Sequence, residues 1–267
     1  MDALTFPSSE TPFLEPYLPE PKPNNNGLPF TTLTFATSLD SSLALSPGTR
    51  TILSGPQSKA MTHYLRCHHD AILIGVGTAI ADNPGLNCRI HGVGGYGGER
   101  LQGQPRPIVL DPSARWEFDE QSKILQLAGD GRGRAPWIIT GPGVTVSEDR
   151  KRLLERYGGK FIFLDVIEGK GFDWADLLRC LKTEGLGSVM IEGGGSVINS
   201  LLEPGLQHLI DSVIVTIAPT WLGQGGVVVS PKRRFDENGT AIAALRLKDV
   251  KWHPFREDVV LCGRIGR

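Results

Sequence analysis

The sequence has four cysteines in 267 residues and no C-x-x-C pair, and no histidine cluster surrounds Cys67, Cys88, Cys180 or Cys262. This spacing supplies no zinc ligand set, so free thiols in a reducing compartment are expected. No apolar run reaches the roughly 18 residues that a bilayer-spanning helix needs. The opening residues carry acids and prolines where a secretion signal carries basic and then apolar residues. A cytoplasmic protein without membrane partners is the expectation. Charge of one sign is missing as well: 28 Lys+Arg stand against 29 Asp+Glu, a formal net charge of −1 at pH 7. Without a basic field, nucleic-acid binding is not expected, and any recognition of phosphate has to be local.

The sequence does have 40% hydrophobic residues, enough for a sizeable core, and a cluster of prolines at one end. Pro7, Pro12, Pro16, Pro19, Pro21 and Pro23 precede Asn24, Asn25, Asn26 and Gly27. Such density excludes helix and central strand. Residues 1–27 are therefore expected to be an extended or disordered segment on the surface that contributes little to the core. Residues 28–267 are read as one domain.

Within that domain the pattern alternates. Short β-branched or uniformly apolar runs predict strands at 29–38, 71–77, 106–111, 136–140, 160–166, 188–192 and 211–219. Residues 39–55 read as a long loop, 81–89 as turn chemistry and 91–104 as a flexible surface insertion. Helices are predicted at 56–69, opened by Pro56, and at 147–159, with Thr145 and Glu148 as a capping box. A third is capped by Asp173, carries Trp174, Leu177, Leu178 and Leu181 inward and stops at Gly185; a fourth covers 196–202. Residues 242–265 read as two strands with no helix between them. The expectation is an α/β fold: a mostly parallel sheet with helices on both faces and an antiparallel C-terminal edge.

The segment VMIEGGGSVINSLL (189–202) sets Gly193, Gly194 and Gly195 between a strand and a helix. Glycine is costly in packed elements. This position is the carboxyl edge of the sheet, where open α/β proteins bind ligands, and a helix start there offers free N–H groups. A pyrophosphate cradle is one reading, and a tight turn with close helix–sheet packing is the other. The run matches neither G-x-G-x-x-G nor G-x-x-x-x-G-K-[ST]. Glu192 would repel a phosphate from the cradle, so it reads as facing a ligand hydroxyl or amine, or as a partly exposed strand-end carboxylate. Arg66 and Arg89 suit a phosphate monoester if they converge, and otherwise are surface arginines in weak ion pairs. Thr78 and Asp82 suit a nicotinamide carboxamide or ribose, and equally suit helix caps. His63, His68 and His69 read as satisfied or exposed side chains rather than metal ligands.

Six segments in order, TLTFATSLD, LSGPQSKAMTHYLR, DAILIGVGTAIADNPGLNCR, RPIVLD, VMIEGGGSVINSLL and DSVIVTIAPTWLGQGG, resemble the reductases of riboflavin biosynthesis. These comprise the fungal type and the C-terminal domain of the bacterial bifunctional deaminase/reductases. The resemblance covers about residues 28–267. It implies a dihydrofolate-reductase-like fold, a homodimer, NADPH as cofactor and no metal. The implied reaction opens the ribosylamino sugar of a phosphorylated pyrimidine to a ribitylamino chain. Thr78, Asp82, Gly193, Gly194, Gly195, Ser196 and Val197 would contact NADPH. Arg66, Asn83, Leu86, Arg89 and Glu192 would line the substrate site, with Asp40 and Glu192 as the catalytic candidates. Ser41 follows Asp40 where the family usually has glycine. Another reductase on the same fold and a non-catalytic nucleotide-binding regulator are the alternatives. No histidine begins H-x-E and no P-C-x-x-C follows, so the deaminase signature is absent. A reductase acting on a pyrimidine that still carries both amino groups is expected.

Overall fold

The computed structural model describes residues 2–20, 27–233, 235–242 and 244–265. The boundary expected after residue 27 adjoins residues 21–26, which lie outside the described residues. The elements follow in order as β1 (Phe30–Thr37), β2 (Ser42–Ala44), α1 (Pro56–Cys67), β3 (Ala71–Gly75), α2 (Val76–Asp82), β4 (Arg106–Leu110), α3 (Lys123–Gly129), β5 (Trp137–Thr140) and α4 (Glu148–Arg156). Then come β6 (Lys160–Phe163), β7 (Val166–Ile167), β8 (Gly171–Phe172), α5 (Trp174–Thr183), β9 (Ser188–Gly193), α6 (Gly195–Leu201), β10 (Ser212–Ile217), β11 (Val227–Val228), β12 (Leu247–Phe255) and β13 (Asp258–Ile265).

Among the described residues, nine strands form one sheet in the order β12-β13-β10-β1-β9-β3-β4-β5-β6. Every pairing from β10 to β6 is parallel, and β13 joins β10 and β12 antiparallel. This is the expected mostly parallel sheet with an antiparallel C-terminal edge. The uniform apolar runs arise because both faces are covered. On one face Leu33, Leu73, Val189, Ile191 and Val213 pack against Leu177, Leu178 and Leu181 of α5 and Ile198 and Leu201 of α6. On the other, Ile72, Ile74, Val109 and Ile138 meet Ile124 and Leu125 of α3 and Leu154 of α4. Among the described residues no helix is long and apolar enough to cross a membrane.

Several expectations need correction. The run 71–77 is not one strand: β3 stops at Gly75 and Val76 opens α2. A Cβ on Gly75 would lie 2.9 Å from Val197 Cγ2, so glycine lets this junction approach α6. The capping box does not form at Thr145 and Glu148; Ser147 is the N-cap of α4 and accepts from Arg150 N at 3.4 Å. Asp173 does cap α5, accepting from Asp176 N at 2.9 Å. The long loop at 39–55 contains β2, which pairs with β11.

The proline-rich segment is neither disordered in its described part nor peripheral to the core. Two 3-10 turns, Ser8–Glu10 and Glu15–Tyr17, carry it across α1 and β13. Leu14 is 0% and Tyr17 1% exposed, packed with Met61, Leu65, Ile214 and Val260. Prolines excluded regular helix here but not burial.

Two buried histidines make the fold acid-sensitive. His69 Nδ1 faces Leu65 O and Nε2 faces Thr32 Oγ1, both at 2.7 Å. Burial pushes its pKa down to about 4. Burial, aided by Arg66, Arg89 and Lys59, pushes His63 down to about 2. The unfolded chain binds a proton at each ring below about 6.5 while the folded chain does not, so stability is complete above that pH and falls as pH drops. Each ring contributes a slope of about 1.4 kcal/mol per pH unit. Urea midpoints measured from pH 7 to pH 5 should fall accordingly, and His69→Gln should remove about one proton from that dependence.

Candidate active site

A cleft of about 820 Å³ opens at the carboxyl edge of the sheet. Its wall includes Phe35 and Ala36 of β1, Gly75 to Thr78 at the start of α2, Asp82 at its end, Glu192 of β9, and Gly194 to Val197 at the start of α6. The strand–helix junctions β3–α2 and β9–α6 thus face one space, and Gly194 N donates to Thr78 Oγ1 at 3.1 Å to tie them together. The glycines differ in what surrounds them. Gly193 has φ +103, and a Cβ there would lie 2.5 Å from Ile198 Cδ1; a Cβ on Gly195 would lie 2.3 Å from Val227 Cγ1. These two are packing glycines. Gly194 is different: its Cβ would meet only the Thr78 hydroxyl, at 2.7 Å, on the cleft wall.

Glu192, one residue before the run, forms a two-pronged ion pair with Arg66. Arg66 Nε donates to Oε1 at 2.8 Å and Nη2 to Oε2 at 2.7 Å, with the side chains 14% and 18% exposed. Arg66 Nη1 donates to Asn87 O at 3.1 Å. The fork expected to face a phosphate therefore holds Glu192, and Glu192 faces an arginine of the protein. Glu192 lines the cleft, while Arg66, Arg89, Lys59 and Lys123 are not part of its wall. Arg89 donates its backbone N–H to His63 Nδ1 at 3.2 Å, and its Nε lies 3.4 Å from the ring's Nε2. Burial, then the charges of Arg50, Arg89, Lys59 and Arg66, hold the Lys123 ammonium below its ordinary pKa. Five cations therefore act on one region. Sequence reasoning found only the two arginines of α1 and the 83–90 loop, because Arg50, Lys59 and Lys123 come from three separate segments.

The other expected residues divide. Thr78 and Asp82 line the cleft; burial raises the Asp82 carboxyl, with Arg50 opposing. Asn83 and Leu86 are not brought to the cleft wall. Asn83 closes α2 at φ +40 and accepts Lys123 N at 3.0 Å, which fixes the start of α3. Leu86 is buried against the α3 core. Asp40 also stands off the wall. It accepts from Leu222 N at 3.2 Å, Gly223 N at 2.7 Å and the Ser38 hydroxyl. The Ser38 hydroxyl first, then the Gly223 amide, hold its carboxyl below the usual range. Ser41 takes φ +60, a left-handed conformation that glycine adopts more readily than serine. Sequence reasoning also missed Arg115, on the cleft wall beside Gly77. Buried Asp111 accepts Arg115 N at 3.0 Å and Trp116 N at 2.9 Å, and Ala114 turns at φ +51.

Comparison with known proteins places this geometry in a family. A model of the RibD C-terminal domain matches residues 29–261. A curated protein of Debaryomyces hansenii, named 2,5-diamino-6-ribosylamino-4(3H)-pyrimidinone 5′-phosphate reductase, is 40% identical over 99% of this chain and 100% of its own. The Eremothecium gossypii protein of the same name is 42% identical over 95% of each. A solved structure of the riboflavin biosynthesis reductase of Saccharomyces cerevisiae superposes with TM-score 0.75 at 36% identity, covering 96% of this chain and 99% of that one. The chain belongs to the RibD C-terminal domain family.

Proposed function

We propose that the protein is the NADPH-dependent reductase that converts 2,5-diamino-6-ribosylamino-4(3H)-pyrimidinone 5′-phosphate to its ribitylamino form, the activity named for its full-length relatives. The observation that carries the reading is the cleft itself. It is built on two tied strand–helix junctions and lined by Glu192, whose ion-pair partner Arg66 acts with Arg50, Arg89 and Lys59 on Lys123. Its volume lies within the roughly 300–1,000 Å³ of ligand clefts. Thr78, Asp82 and Gly193 to Val197 would hold the nicotinamide cofactor. When bound, that cofactor supplies the hydride that reduces the anomeric carbon of the ring-opened sugar imine. The protein's part is to orient and to stabilise charge. Arg89, with Lys59 and Lys123, takes the 5′-phosphate. Glu192 sits where it would accept from an exocyclic amine or sugar hydroxyl, with Arg66 holding the carboxylate in place. Asp40 acts by holding the 222–223 amides that border this end of the sheet.

NADPH rather than NADH is favoured by the cations on the cofactor side of the wall, Arg115 and Lys170, which suit a 2′-phosphate. The chain acts as a single reductase unit in the cytoplasm, with residues 28–267 and the packed N-terminal segment sharing one core. A homodimer belongs to the same proposal: Val250, Trp252 and Val259 expose apolar surface on the outer strands β12 and β13. The test is oxidation of NADPH and of NADH with the ribosylamino phosphate, followed by absorbance and by mass spectrometry of the product. NADPH should be consumed one-for-one with ribitylamino product. Arg115→Gln should raise the KM for NADPH about tenfold, the effect of removing one charge-assisted hydrogen bond, and leave that for NADH unchanged. NADPH bound but never oxidised would favour a non-catalytic binding protein instead.

A further inference from the structure

The proline-rich segment reaches beyond its anchor. Leu14 and Tyr17 fix it in the core, and Arg264 Nη2 donates to Pro16 O at 2.6 Å. From there the chain runs past Phe6, whose ring packs on Tyr64 of α1 with centroids 4.8 Å apart. It then lies beside the loop that carries Arg89. Leu4 N donates to Arg89 O at 2.7 Å and His91 N donates to Leu4 O at 2.9 Å, a short parallel bridge between Leu4 and Ile90. Arg89 Nη1 donates to Asp2 O at 3.2 Å. Arg89 is thus held from two sides. The His63 ring of α1 accepts its backbone N–H and meets Nε at 3.4 Å, while Leu4 N donates to its carbonyl and Asp2 O accepts from Nη1. Residues 2, 3 and 5 are exposed, so this end of the segment adds almost nothing to the core.

We propose that residues 2–5 are a positioning strap for the substrate site: their main chain fixes Arg89 so that its guanidinium meets the 5′-phosphate in one orientation. This rests on the reading of Arg89 as a phosphate ligand. The physical reason is entropic. An arginine side chain has many rotamers to lose, and a guanidinium already fixed on one edge loses fewer of them when the substrate arrives. The strap makes these contacts with its own main-chain atoms, so its composition is free while its path is not.

The test deletes residues 2–5 in the full chain, which leaves Phe6, Leu14 and Tyr17 in place. With 2,5-diamino-6-ribosylamino-4(3H)-pyrimidinone 5′-phosphate as substrate, KM should rise about tenfold. The kcat should stay within about twofold, and NADPH affinity and thermal midpoint should not move. In an Arg89→Ala background the deletion should add nothing, because the group it orients is gone. The inference is overturned if Arg89→Ala raises KM but the deletion does not, or if the two effects add in full. It is equally overturned if the deletion lowers kcat, NADPH affinity and thermal midpoint together, which would make the segment a general stabiliser. A wild-type KM in Arg89→Ala itself would remove the phosphate role of Arg89 and the strap's function with it.

Discussion

Gly194→Val should lose NADPH binding by about a hundredfold or more and still fold. The added Cβ would stand 2.7 Å from Thr78 Oγ1, displacing the hydroxyl that accepts Gly194 N–H and filling the wall where two strand–helix junctions meet. Removing two charge-assisted hydrogen bonds to the cofactor costs about 3–6 kcal/mol, hence the factor. Gly193 and Gly195 provide the contrast. A valine at either would strike Ile198 or Val227, in one case at φ +103, so those variants should lose thermal stability first. Fluorescence titration with NADPH beside circular dichroism separates the two outcomes. Wild-type affinity in a folded Gly194→Val would show that this glycine serves packing alone.

The second large effect lies in the Arg66–Glu192 pair. Arg66→Met leaves a largely buried carboxylate without its partner, which should cost about 3 kcal/mol of stability. Replacing both, as Arg66→Met with Glu192→Met, removes the uncompensated charge and should recover most of that loss. Activity should behave differently. The double variant has neither a carboxylate for the substrate's amine nor a charge to orient it, so kcat/KM should stay down by about a hundredfold or more. Urea unfolding and steady-state kinetics on the wild type and both variants give the answer. Recovery of activity together with stability would make the pair a structural device without a part in the reaction.

The parallel strands were legible because burial on both faces leaves uninterrupted apolar runs, as in AILIG and SVMIE. Asp173 was legible because its cap is local, made three residues away. The glycine run pointed correctly to the sheet's carboxyl edge. What the sequence did not disclose is mostly non-local or too short. The α2 helix has seven residues, under two turns, and so carries no 3.6-residue period. The partners Arg66 and Glu192 are 126 residues apart, and nothing in either neighbourhood announces the other. Arg115 is aimed by a left-handed Ala114, a residue type that gives no hint of such a turn. The prolines of residues 7–19 rightly excluded an α-helix, yet Leu14 and Tyr17 still find the core through 3-10 turns. Asn83 and Leu86 were expected at the substrate by resemblance; the structure shows Asn83 fixing the start of α3 and Leu86 buried against the α3 core.

The most direct measurement follows a labelled hydride. NADPH carrying deuterium at the transferable nicotinamide position is incubated with the protein and the ribosylamino phosphate, and the product is examined by NMR and mass spectrometry. A single deuterium on the former anomeric carbon of the ribitylamino chain is the outcome required of one cleft that brings cofactor and substrate together. Deuterium at the pyrimidine ring, reduced product without label, or no reduction at all would contradict it.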